Sequence, residues 1–151
     1  MVPPGEDCGY AEFIETVDVL VMGRNTYERG ITFDPSPYVG REVVVLSTRQ
    51  VTVPAHLGTS VVASSETPAE LLERLGSRGT RHLYVDGGRT IQGFLADGLI
   101  HQITIMVIPV LLGSGRLLFA TSGREQKLVL LSSNTYEFGF VQSTYRVLAD
   151  V

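Results

Sequence analysis

The residues best suited to chemistry lie in three short segments, each of which follows an apolar run. They are Gly23-Arg24-Asn25-Thr26, Ser47-Thr48-Arg49 and Gly87-Gly88-Arg89. Glycines let a backbone turn tightly and approach a ligand closely, because they carry no Cβ. Hydroxyl and guanidinium groups donate hydrogen bonds to anions. The three segments therefore predict contacts with a phosphorylated ligand.

The segment Asp86 to Leu95 is the most informative of these regions. Arg81 to Val85 before it is typical of a short buried strand, and the residues after Gly87-Gly88 have a helical pattern with Phe94 on the apolar side. The first turn of a helix offers unpaired N–H groups and the positive end of a dipole, which suits a phosphate. The pattern favours a nucleotide-binding α/β protein. The alternative is a plain strand–turn–helix corner that binds nothing.

Each of the other two segments also has an alternative interpretation. Arg24 either donates charge-assisted hydrogen bonds to a phosphate or forms a solvated i, i+4 pair with Glu28. The hydroxyls and guanidinium of Ser47-Thr48-Arg49 either hold a 2′-phosphate, which favours NADPH over NADH, or belong to an exposed turn.

Strands and helices alternate along the chain, which predicts how these segments are positioned. Buried strands are expected over 18–23, 42–47, 60–64 and 81–85, and helices over 9–17, 24–29, 67–78 and from 87 to about 98. Thr67-Pro68-Ala69-Glu70 has the pattern of a capping box with proline in the first helical position. A long strand is expected over Leu99–Ile108, followed by an antiparallel pair over Lys127–Ser133 and Phe138–Leu148. These elements predict an α/β fold with a mostly parallel mixed sheet, covered on both faces and carrying an antiparallel edge.

The composition excludes several classes of function. With 44% hydrophobic and 19% charged residues among 151, the chain has the makeup of one globular domain, and its net charge of −4 argues against a nucleic-acid partner. Cys8 is the single cysteine, so no intrachain disulfide or zinc–thiolate site is expected, and no metal-ligand spacing is evident. The N-terminus lacks a signal-peptide pattern, and the longest apolar run is too short to span a bilayer. A cytoplasmic protein without membrane contact is expected.

Several segments together resemble a known family. Val19 to Glu28 resembles the strand–loop–helix of dihydrofolate reductases and, more closely, that of the C-terminal reductase domain of bifunctional riboflavin-biosynthesis (RibD) enzymes and its stand-alone relatives. Val43 to Arg49 is similar to the next strand and loop, and Gly87-Gly88 is similar to the cofactor glycine pair. Leu99 to Gly115 resembles the family's long strand and the loop after it. The resemblance extends from about Tyr10 to Val147.

This resemblance implies a three-layer dihydrofolate reductase-like fold and an NADPH-dependent reductase. The implied reaction is hydride transfer to a pterin-like, pyrimidine or phosphoribosyl-amino-pyrimidine substrate, as in a 5-amino-6-(5-phosphoribosylamino)uracil reductase. A homodimer is also implied. No residue is assigned a catalytic role. For proton donation, Asp7 and Glu12 are the acids nearest the missing N-terminal segment, and a proton from solvent is an equal alternative. The implied cofactor-binding residues are Gly23, Arg24, Asn25, Thr26, Ser47, Thr48, Arg49, Gly87, Gly88, Arg89 and Ile91.

The largest departure from the family is at the N-terminus. Relatives begin with an additional strand and loop before the equivalent of Tyr10, and here no apolar strand precedes that residue. The expectation is a single dihydrofolate reductase-like domain over 1–151, truncated at its N-terminus. The alternative is a non-catalytic nucleotide-binding or interaction module that lost the active-site strand.

Overall fold

A computed structural model of the chain describes residues 2–119 and 125–149. The chain divides into two compact units. The first is Gly9–Gly93, and the second consists of the described residues within Met1–Cys8 and Phe94–Val151. One helix, α4 (Gly88–Ala96), begins in the first unit and ends in the second.

A four-stranded parallel sheet organises the first unit. Its strands lie in the order β3-β2-β1-β4 and every neighbouring pair is parallel. The pairing places Met22 of β1 opposite both Val45 of β2 and Asp86 of β4. The elements are α1 (Tyr10–Glu15), β1 (Val19–Gly23), α2 (Arg24–Gly30), β2 (Val43–Leu46), a 3-10 segment (Ala55–Ser60), β3 (Val61–Ser64), α3 (Pro68–Ser77) and β4 (Leu83–Asp86).

The two central strands of this sheet are buried on both faces. Successive side chains of a strand point to opposite faces, and all of Val19 to Met22 in β1 is buried. Leu20 and Met22 belong to a hydrophobic cluster that also contains Ile14 of α1 and Tyr27 of α2. Uninterrupted apolar strands such as β1 and β2 are what a parallel sheet with both faces covered requires.

Local sequence signals determine where α3 begins. The N–H of Glu70 donates to Oγ1 of Thr67 (3.3 Å), and the N–H of Thr67 donates to Oε2 of Glu70 (2.8 Å). Pro68 occupies the first turn, where its missing N–H costs no hydrogen bond. Leu71 and Leu75 lie four positions apart and are fully buried. The predicted capping box is confirmed.

An antiparallel sheet forms the second unit. It contains β5 (Gln102–Val107), β6 (Leu128–Thr135) and β7 (Val141–Val147) in the order β5-β7-β6. A register shift between Leu130 and Ser132 interrupts the β6–β7 pairing. The hydroxyls of Thr104 and Thr144 pair across the strands at 3.0 Å.

The predicted fold class is confirmed, with two differences in detail. The strand expected over Leu99–Ile108 is shorter and covers Gln102–Val107. The antiparallel strands do not continue the parallel sheet. Among the described residues these strands pair only with one another, and β5 is the antiparallel neighbour of β7.

Candidate functional site

The three segments singled out from the sequence meet at one edge of the parallel sheet. Each begins at or directly after the last residue of a strand. The pairing puts Gly23 opposite Leu46 and Met22 opposite Asp86, so the carboxyl ends of β1, β2 and β4 are level. The strand order reverses at β1, because β2 and β3 lie on one side of it and β4 on the other. Ligands of open α/β sheets bind at such a reversal, outside the carboxyl ends of the strands.

Two glycines bring the starts of α2 and α4 together across this point. A Cβ added to Gly87 would overlap Oγ1 of Thr26, and a Cβ added to Gly23 would lie 3.0 Å from Oγ1 of Thr90. Gly87 also has a φ of +91°, in the left-handed region that side chains disfavour. Each glycine therefore makes room for a threonine in the first turn of the other helix.

The start of α4 presents hydrogen-bond donors, and one carboxylate, that of Asp86, lies at the corner before the helix. The N–H of Ile91 donates to the carbonyl of Gly87 (2.9 Å), so the N–H groups before it have no partner within the helix. The first turn contains no acidic residue, and a Cβ on exposed Gly88 would meet nothing within 4 Å. Oδ1 of Asp86 accepts the N–H of Gly87 (2.8 Å) and holds the corner. Such a helix start favours an anion.

The arginines of the three segments differ in their surroundings. Nη1 of Arg24 lies 2.9 Å from both carboxylate oxygens of Glu28, so the structure contains the i, i+4 pair that was the alternative interpretation of Arg24. Arg49 and Arg89 are exposed, and neither forms a salt bridge with any described residue. These two guanidinium groups are available to a ligand.

The hydroxyl of Ser47 is used within its own loop. Its Oγ donates to the carbonyl of Arg49 (2.9 Å) and accepts the N–H of that residue (3.0 Å). Thr48 is exposed between them. The Ser47 side chain therefore stabilises a turn in which Thr48 and Arg49 are exposed to solvent. Of the remaining predicted residues, Asn25 is exposed and Ile91 is partly buried.

An acid–phenol group next to Gly87 was not anticipated from the sequence. Asp86 extends from the same face of β4 as Tyr84, and its charge acts on Tyr10, Tyr38 and Tyr84. Burial, with Asp86 as the next cause, raises the pKa of Tyr38 to about 12 and raises the pKa of Tyr10 and Tyr84 as well. All three phenols stay protonated at neutral pH and retain an O–H donor. The alternation of side chains along β4 is the signal that places Asp86 on this face.

The described residues contain neither a metal-binding cluster nor a membrane-spanning helix. No three His, Cys, Asp or Glu side chains within 2–119 and 125–149 come together in a way that suits a metal ion. No described helix has the length and apolar character needed to cross a membrane.

The sequence profile of the RibD C-terminal domain family matches residues 11–141. The chain belongs to this family. An uncharacterized protein of Bacillus subtilis, YwjB, is 31% identical over 135 residues, which cover 88% of this chain and 75% of YwjB.

Solved structures agree with this assignment. A protein of Shewanella sp. PV-4, provisionally assigned to riboflavin biosynthesis, is 33% identical with a TM-score of 0.89, and the match covers 99% of this chain and 84% of that one. Dihydrofolate reductase of Schistosoma mansoni shares the fold at 20% identity and a TM-score of 0.60, covering 96% and 87% of the two chains. The family expected from the sequence and the dihydrofolate reductase-like fold are confirmed.

Proposed function

We propose that this RibD C-terminal-like protein is an NADPH-dependent reductase. The observation that supports this proposal is the corner at the carboxyl ends of β1 and β4, where Gly23 and Gly87 bring two helix starts together. A side chain at Gly87 would overlap Thr26, so glycine at this position lets the starts of α2 and α4 lie close together. A pyrophosphate fits the donors found there, because the first turns of α2 and α4 contain no acid.

The proposed cofactor extends along the edge of the sheet. Gly87, Gly88, Arg89 and Ile91 lie along the pyrophosphate together with the Gly23–Thr26 corner. Arg49 and Thr48 bind the 2′-phosphate one strand away, because Arg49 is exposed and unpaired among the described residues. Arg24 reaches the phosphates by leaving Glu28, and a half-exposed surface pair of this kind contributes only about 0–1 kcal/mol.

The proposed reaction is reduction of a C=N or C=O group in a pterin-like, pyrimidine or phosphoribosyl-amino-pyrimidine substrate. NADPH supplies the hydride when bound. Asp86 immediately precedes Gly87, so we place the substrate ring beside the acid–phenol group. There Asp86 accepts hydrogen bonds from ring or amino N–H groups, and the protonated phenols of Tyr10 and Tyr84 donate to ring nitrogen or carbonyl acceptors. We take solvent as the source of the proton that completes the reduction.

A fluorescence titration with NADPH and NADH tests the cofactor assignment. We expect NADPH to bind at least tenfold more tightly than NADH, a difference of about 1.4 kcal/mol. Arg49→Ala abolishes this preference, whereas Arg29→Ala, an exposed arginine in the last turn of α2, leaves it unchanged. Equal affinities for the two cofactors in the unaltered protein would remove Arg49 from the site. No binding of either cofactor would refute the proposed function, and binding without NADPH oxidation in the presence of substrates would favour a non-catalytic nucleotide-binding module.

We also propose that the protein acts as a cytoplasmic homodimer. Every residue of β6 is exposed, although Leu128 to Leu131 is a continuous apolar run, and Leu111 and Leu112 are 100% and 79% exposed. Exposed apolar patches of this kind mark interaction surfaces. A second copy of the chain is the occupant that the family resemblance implies. Light scattering at micromolar concentration should give the dimer mass, and Leu130→Glu should give the monomer. A monomeric unaltered protein would refute the dimer.

A further inference from the structure

The end of β3 holds a carboxylate next to the loop that is proposed to bind the 2′-phosphate. Ser64 is the register partner of Leu46, and the N–H of Ser47 donates to the carbonyl of Ser64 (2.9 Å). Oγ of Ser64 in turn donates to Oε2 of Glu66 (2.6 Å) and accepts the N–H of Glu66 (3.1 Å). Glu66 is therefore fixed at the same edge of the sheet as the Ser47–Arg49 loop, one strand further on.

Arg74 of α3 forms a bidentate ion pair with this carboxylate through two nitrogens of its guanidinium. Nε lies 2.7 Å from Oε1 of Glu66, and Nη2 lies 2.8 Å from Oε2. Bidentate pairs of this geometry are the strongest of the charge-assisted hydrogen bonds. Arg74, followed by the hydroxyl of Ser64, lowers the pKa of Glu66 to about 2. The carboxylate is thus charged at neutral pH, and that charge is matched by Arg74.

We propose that Arg74 determines the cofactor preference of this protein by occupying Glu66. The inference rests on the proposed function, because it concerns the same 2′-phosphate position. In nucleotide-binding sheets, a free carboxylate after a strand accepts the ribose 2′-hydroxyl of NAD, whereas an arginine accommodates the 2′-phosphate of NADP. Glu66 follows a strand at this edge, as a carboxylate that accepts the 2′-hydroxyl does. Its ion pair with Arg74 keeps it from accepting that hydroxyl. Without Arg74 the carboxylate repels a 2′-phosphate and attracts a 2′-hydroxyl.

The test measures the ratio of the NADPH and NADH affinities in a set of variants. Arg74→Ala, and Arg74→Gln as a second variant that keeps the side-chain length, should each lower the preference for NADPH about tenfold, the equivalent of 1.4 kcal/mol. The double variant Glu66→Ala/Arg74→Ala should restore the preference, because it removes the carboxylate as well. Arg78→Ala is the matched control, since Arg78 also forms a surface ion pair with an acid, Glu42, and should leave the ratio unchanged.

The outcomes separate this inference from the function on which it rests. A clear preference for NADPH that survives Arg74→Ala and Arg74→Gln would overturn the role of Arg74 and leave the reductase proposal intact. A double variant with the same low preference as Arg74→Ala would also overturn it, because the loss would then come from the loop and not from the charge of Glu66. Failure of the unaltered protein to bind either cofactor would overturn the proposed function itself.

Discussion

Replacing Gly87 with alanine should destabilise the protein and close the proposed cofactor corner. Two costs follow from the structure. A non-glycine residue at a φ of +91° costs about 1–2 kcal/mol. The new Cβ would overlap Oγ1 of Thr26 and lie 3.4 Å from its Cβ, and overpacking of this kind costs about 1–3 kcal/mol. We expect the free energy of unfolding to fall by about 2–5 kcal/mol in total, measured by urea denaturation.

Two controls divide this cost into its parts. Gly88→Ala changes the adjacent glycine, where a Cβ meets nothing within 4 Å and φ is not positive, so its unfolding free energy should stay the same or rise. Introducing Gly87→Ala into a Thr26→Ala background removes the overlap and leaves only the backbone cost. In that background we expect a loss of about 1–2 kcal/mol.

The same variants report on ligand binding. Gly87→Ala should bind NADPH weakly even under conditions where it remains folded, because the donors at the start of α4 shift when Thr26 is pushed aside. If Gly87→Ala were as stable as Gly88→Ala, the close packing of the two helix starts would be refuted. A Thr26→Ala background that gave no relief would show that the backbone conformation alone carries the cost.

Two other predictions test the packing and the ion pairs of the first unit. A Cβ on Gly30 would overlap Oη of Tyr38 and lie 2.5 Å from its Cζ, so Gly30→Ala should cost about 3 kcal/mol or more in urea denaturation, whereas Gly76→Ala, with open space around it, should cost nothing. Acid should also destabilise the protein. The pKa of Glu66 falls from 4.5 to about 2 on folding, and backbone N–H groups lower the pKa of Asp18, so their contributions are complete above about pH 4.5 and are lost as the pH falls towards 2. Glu66→Gln and Asp18→Asn should each flatten the pH dependence of the unfolding free energy, and an unchanged slope would contradict the assigned pairs.

Most elements of the first unit could be predicted because their signals are local. The apolar run around Val19–Met22 and the capping box from Thr67 to Glu70 each act within a few residues, and the structure contains both. The length of β5 and its separation from the parallel sheet could not be predicted in the same way. They depend on which strand becomes the neighbour of β5, and strand pairing joins residues far apart in sequence.

The candidate site was predictable in its backbone but not in its side-chain partners. Gly23 and Gly87 stand out in the sequence because turns require them. The threonines that fill the space beside them come from the opposite helix, which no local pattern reveals. The sequence left two partners open for Arg24, a ligand phosphate and Glu28, and the structure shows the pair with Glu28. The assignment of the predicted residues to NADPH remains a prediction, and the titrations described above test it.

The position of β4 in the sheet has a consequence for the order of folding. β1 meets β2 after a short connection, but it meets β4 only after β2, β3 and α3 have been passed along the chain. The carboxylate of Asp18 secures that late contact by accepting the N–H groups of Arg81 and His82, more than sixty positions away. Because closing a longer loop costs more entropy, we expect β1–β3 to assemble first and β4 to dock last. Pulsed hydrogen exchange should then protect the amides of β2 before those of β4, and the pairing of β1 with β4 would be the last part of the sheet to form and the first to open.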